Sequence, residues 1–190
     1  MSNTLSPKGF QEFGHVAGVA PNFGLASGKM AYNASACYSG DSLILSSGKL
    51  AVGVTTGNTG AASAGIARQF SWVSTAQNRK VWQSYYPGSD SKGNADVDVW
   101  YDNDPNGLFQ VQSSGTVITV ADVGKGINFT TGTPSTASGI SGMSADQTTL
   151  NATLGSLPFV VRQILQAPVT DPTSSYNLIV VGFNLPTMAG

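Results

Sequence analysis

Short apolar runs, cut by clusters of Gly, Pro, Asn, Asp and Ser at intervals of roughly 8–12 residues, constrain this chain to short paired strands. The clearest run is residues 95–101, ADVDVWY, whose alternation puts Val97, Val99 and Tyr101 on one face. That two-residue period marks a half-buried strand. Asp102-Asn-Asp-Pro-Asn-Gly107 follows as a dense turn, because proline presets φ and Asn-Gly tolerates positive φ. Residues 43–45 and 50–54 flank Ser46-Ser47-Gly48-Lys49 and predict a hairpin. Residues 108–112 and 116–120, joined by Ser113-Ser-Gly115, predict a second one. Residues 66–73, 81–86 and 157–165 predict further strands. In residues 178–183, the apolar run Leu178-Ile-Val-Val181 predicts a strand buried on both faces. Residues 55–65 predict a small-residue loop, and residues 130–156, dominated by Gly, Ser and Thr, a long surface loop. No stretch of eleven or more residues carries a helical stripe, and no repeat stands out. The expected fold is all-β, a compact β-barrel or β-sandwich of short antiparallel strands.

Residues 1–40 fit neither period. They carry Pro7 and Pro21, glycines at Gly9, Gly14, Gly18, Gly24 and Gly28, and aromatics at Phe10, Phe13, Phe23, Tyr32 and Tyr38. The expected organisation is an irregular N-terminal arm over 1–40 and a β domain over 41–190. Two readings of the arm stand: a meander packed over the core, or a segment that anchors on a partner through its aromatics, which interface cores favour. On the second reading Phe10, Phe13 and Phe23 are the candidate docking residues.

Composition narrows the function classes. Charged residues are 10% of the 190, against roughly 25% in typical soluble domains. The net charge of -1 lacks the basic surplus a nucleic-acid partner requires. Apolar residues at 41% exclude intrinsic disorder. Serine (23), threonine (17) and glycine (23) supply a third of the chain. A surface of hydroxyls and amides repels like molecules weakly, which suits a chain bound in a large assembly. No apolar run reaches the roughly 18 residues of a membrane span, and the N-terminal residues lack a signal core, so neither a membrane nor export by that route is expected.

Few residues offer chemistry. A single Cys37 excludes a disulfide framework and reads as a small buried apolar residue. One His15 and one Glu12 leave little for acid–base work, and a Ser–His–Asp triad has only His15 to draw on. Neither a Gly-x-Ser-x-Gly elbow nor a phosphate-binding glycine motif occurs. Asp90, Asp96, Asp98, Asp102 and Asp104 concentrate carboxylates that calcium favours, but their spacing departs from the twelve-residue calcium loop. The plainer reading places Asp96 and Asp98 on a solvated strand face and Asp102 and Asp104 on turn amides. No catalytic residue, cofactor or metal is expected. Trp72, Trp82, Trp100, Tyr85, Tyr86 and Tyr101 read as core or interface, with a sugar-stacking platform as the alternative. Arg68, Arg79, Lys80 and Lys92 are placed to pair with aspartates of a neighbouring subunit.

Taken in order, several segments resemble the capsid cement, or head-decoration, proteins of tailed bacteriophages. They are Pro7-Lys-Gly-Phe-Gln-Glu-Phe-Gly14, Val81-Trp-Gln-Ser-Tyr-Tyr-Pro-Gly-Ser-Asp90, Asp102-Asn-Asp-Pro-Asn-Gly-Leu-Phe-Gln-Val-Gln112, Ala121-Asp-Val-Gly124, Thr136-Ala-Ser-Gly-Ile-Ser-Gly142, Leu157-Pro-Phe-Val-Val161 and Asp171-Pro-Thr-Ser-Ser-Tyr-Asn-Leu-Ile-Val-Val-Gly-Phe-Asn184. The resemblance spans nearly the whole chain. It implies a non-enzymatic, β-rich homotrimer on the outer surface of the virion, made in the host cytoplasm, that clamps neighbouring major capsid protein subunits. The alternative from another class is a secreted or surface-displayed carbohydrate-binding β-sandwich module.

Overall fold

The structure, a computed structural model, describes residues 2–16, 24–54, 63–154 and 157–184. Fourteen strands follow one another in the described chain: β1 (Gln11–His15), β2 (Ala26–Met30), β3 (Cys37–Tyr38), β4 (Ser42–Ser46), β5 (Lys49–Val52), β6 (Gly65–Val73), β7 (Lys80–Gln83), β8 (Tyr85–Tyr86), β9 (Val97–Asp102), β10 (Gly107–Gln112), β11 (Gly126–Thr130), β12 (Ser144–Asn151), β13 (Phe159–Ile164) and β14 (Leu178–Phe183). Two 3-10 turns, Lys92–Asn94 and Val120–Asp122, lie wholly within the described residues. The fold is all-β.

Five strands close into a ring. β4 and β5 form the expected hairpin across Ser47 and Gly48. β5 runs parallel to β2 at Met30 and Leu50, β2 pairs with β9, β9 with β6, and β6 returns to β4 through Ile66 and Ser42. β7 extends the sheet outside the ring by pairing with β6. Alternation fills the ring: Met30, Leu43, Leu50, Phe70, Val97 and Val99 are buried together inside it.

The second sheet is antiparallel in the order β1-β10-β14-β13-β11-β12. It curls until Ser113, just past β10, bridges to Ala145 on β12. Its core is aromatic: Phe109 meets Phe183 edge-on at 5.1 Å, and Phe159 stacks on Phe183 at 5.7 Å. Ile179, Val180 and Val181 of β14 are fully buried, as the continuous apolar run predicts.

Residues 2–16 and 24–40 are not an arm outside this body. β1 pairs with β10 and β2 closes the ring, so the expected boundary at residue 40 is corrected. Before them, Gly9 donates its amide to the Met143 carbonyl at 3.2 Å and Phe10 donates to Gly40 at 2.9 Å. Gly9 sits at φ +66°, and a Cβ there would lie 2.6 Å from the Gly40 carbonyl oxygen. Only glycine takes that conformation and that clearance together. The arm looked irregular because β1 carries a bulge between Glu12 and Gly14, which breaks its period.

Two further expectations are corrected. Residues 130–156 are not one loop, because β12 lies within them and pairs with β11. Thr-rich β12 is half-polar because it is an edge strand, and its composition hid it. Residues 116–120 are not the return strand of a hairpin. They lead into the 3-10 turn, where Thr119 and Asp122 cap each other, and β10 pairs instead with β1 and β14.

Candidate functional site

The three proposed docking aromatics part company. Phe10 is wholly buried, stacked on Phe159 at 4.5 Å and edge-on to Phe129 at 6.2 Å. It belongs to this chain's own core, so its role as a docking residue is corrected. Phe13, three residues on, sits at the bulge of β1 and is 44% exposed. Phe23 lies outside the described residues. The exposed ring is on an edge, since among the described residues β1 pairs with β10 alone. The segment before it follows the same edge, with the Ser6 amide donating to Gln112 Oε1 at 2.7 Å. Leu5, Phe13 and Val16 stand exposed along it.

Each carboxylate of the acidic stretch has its own partner. Asp90 accepts from the Trp72 indole at 2.9 Å and from the Ala76 amide at 3.0 Å. Partial burial opposes its ionisation, yet donors from Ser74, Trp72 and the Ala76 and Thr75 amides outweigh it and hold its pKa below the usual carboxylate range. Asp96 pairs with Lys49 at 2.8 Å, and Asp98 with Lys29. Asp102 faces Arg68 at 3.5 Å. Asp102 and Asp104 also accept from turn amides, of Asp104 and Asn106, as the plainer sequence reading has it. Among the described residues no three metal-ligating side chains converge.

His15 Nε2 lies 3.3 Å from Asp104. Its Nδ1 is buried with no hydrogen-bond partner among the described residues. Cys37 is fully buried; that burial first, and the nearby Asp41 second, push its thiol well above the ordinary value, the opposite of a reactive thiolate. The basic cluster disperses. Arg68 turns inward to Asp102 and donates to the Phe10 carbonyl at 3.3 Å. Arg79 and Lys92 bond the side chains of Gln77 and Asn78.

The aromatic set divides by burial. Trp72 and Tyr86 are core and meet edge-on at 5.1 Å. Tyr38 and Tyr85 stack at 5.3 Å where β3 pairs with β8, and Tyr101 is half-buried against the ring's core. Trp82 and Trp100 instead come together on the outside, ring centroids 4.9 Å apart. The signal for that pairing is in the sequence: Lys80-Val-Trp82 and Asp98-Val-Trp100 each put valine inward and a charge and an indole outward. What no sequence pattern shows is that β7 and β9 flank β6, which brings the two indoles to one place.

Comparison with protein-family models, curated proteins and solved structures finds no match to this chain.

Proposed function

We propose that this chain is a capsid cement protein: a structural, non-enzymatic subunit that sits as a homotrimer on the outside of an icosahedral phage head and bridges neighbouring major capsid protein subunits. The observation that carries the reading is the N-terminal edge, where Leu5, Phe13 and Val16 are exposed beside a strand with one partner. Soluble monomers guard such edges with lysine, proline, β-bulges, inward charges or a covering element. β1 has the bulge between Glu12 and Gly14 and one carboxylate, Glu12, but neither lysine nor proline. Three exposed apolar side chains along a lightly guarded edge favour an assembly that covers them. The low charge and the hydroxyl-rich surface point the same way.

A shell under internal pressure fails where its subunits part. A trimer attached to several subunits adds interface that must also break, and its three attachments reinforce one another without needing strong single contacts. The two packed cores supply a rigid body to transmit that load. The test is co-sedimentation with undecorated heads of the phage that encodes the chain, beside Phe13→Asp. The wild type is expected to co-sediment and to raise the temperature at which heads rupture, and the variant to melt like the wild type but bind poorly. A wild type that does not bind those heads overturns the cement reading, and undiminished binding by the variant overturns the role of the edge.

A further inference from the structure

The outer face of the first ring holds a groove that capsid attachment by β1 leaves unused. Strand register builds it. Lys29 is opposite Asp98, Asp98 opposite Ser71, and Ser71 opposite Trp82, one row across β2, β9, β6 and β7. Ser27, Trp100 and Gln69 form the next row. Strands two apart are separated by about 9.5 Å, so indoles whose centroids are 4.9 Å apart must both lean in over β6. Ser71, between them, is small enough to allow it. The rings are tilted by 30°, so they open as a wedge rather than close as a stack, and Trp82 remains 53% exposed. The resulting groove has a volume of about 340 Å³. Under the indoles, Ser71 Oγ is buried with no hydrogen-bond partner among the described residues, a state native proteins seldom leave unexplained.

We propose that this groove binds a pyranose ring of an acidic, hexuronate-bearing glycan. Indole faces offer the flat apolar surface on which the axial C–H groups of a pyranose pack, and here they are held on strands before any ligand arrives. Asp98, Lys29 and Ser27 line the same groove and supply the few convergent polar groups that orient hydroxyls. The preference for an acid comes from Lys80. Its ammonium lies 5.0 Å from the centroid of the Trp82 ring and, unlike that of Lys29, has no carboxylate partner among the described residues. A sugar entering over Trp82 displaces that ammonium from the ring. A uronate returns a carboxylate to it, whereas a neutral sugar returns nothing. A nucleic acid fits less well, because Asp98 faces the groove and the chain has no basic surplus.

The experiment uses the isolated protein and does not involve capsids, so its failure and that of the cement reading are distinguishable. Calorimetry and tryptophan fluorescence follow titration with short oligouronates and with neutral maltooligosaccharides. Oligouronates are expected to bind roughly tenfold or more tightly than the neutral series. Trp82→Ala and Trp100→Ala should each weaken uronate binding by about tenfold or more, and Lys80→Gln should bring uronates down to the neutral level. Val120→Ser, exposed in the 3-10 turn outside the groove, should leave affinity unchanged. Cooperative thermal unfolding followed by far-ultraviolet circular dichroism reports whether each variant is folded. If Trp100→Ala does not fold, Trp82→Ala, truncating the more exposed ring, carries the test. Absence of binding to either series overturns the proposal, and so does uronate binding that is indifferent to Trp82→Ala.

Discussion

Replacing Phe10 by alanine tests whether the N-terminal segment is part of the body or an appendage. The ring has no exposed surface, stacks on Phe159 at 4.5 Å and presents its edge to Phe129 at 6.2 Å. Its backbone is tied to Gly40 at 2.9 Å, and its carbonyl accepts from Arg68 at 3.3 Å, so the segment cannot readily shift to fill the hole. Truncating a buried phenylalanine costs roughly 3–5 kcal/mol in lost transfer energy and residual cavity. For a chain of this length that lowers Tm by roughly 6–20 °C. Phe13, at 44% exposure, meets none of these conditions, and its truncation should change stability by no more than about 0.5 kcal/mol. Thermal and urea unfolding of Phe10→Ala and Phe13→Ala, measured side by side, decide the matter. If Phe10→Ala melts within about 2 °C of the wild type, the ring is not in the core and the N-terminal segment is an appendage.

Gly9→Ala should be more severe than its size suggests, by about 2–3 kcal/mol or more, because φ +66° is strained for alanine and the new methyl would lie 2.6 Å from the Gly40 oxygen; wild-type melting would refute this. Asp41 gives a pH test. Burial pushes its carboxyl above the usual range against hydrogen bonds from Ser141, the Tyr38 amide and Cys37, so the native state binds the proton more tightly than the unfolded chain. The associated stability is present below the unfolded value of about 3.9 and is lost as pH rises through the raised native value. Asp41→Asn keeps an acceptor for the Tyr38 amide, 2.8 Å away, and does not titrate. Relative to the wild type, the variant should gain in Tm between pH 4 and neutrality, and a relative loss over that interval would contradict the assignment.

Local pattern alone determined the all-β class, the β4–β5 hairpin, the inward valines of β9 and the double burial of β14, while the register narrowed the hairpin's turn to Ser47-Gly48. It also determined that Cys37 is a core residue and that the Asp102–Asp104 carboxylates serve turn amides. These features depend on period two and on turn chemistry, both written within a few neighbouring residues. The fates of Phe10 and Phe13 were not so written. The two rings are three positions apart on the same segment, and only packing against Phe159 and Phe129, more than a hundred residues away, makes one core and leaves the other exposed. The same holds for the parallel contact of β2 with β5, the closure of β4 onto β6 and the meeting of Trp82 with Trp100. Pairing between strands distant in sequence leaves no local period to read, because each strand's burial is set by the neighbours that the whole fold assigns to it.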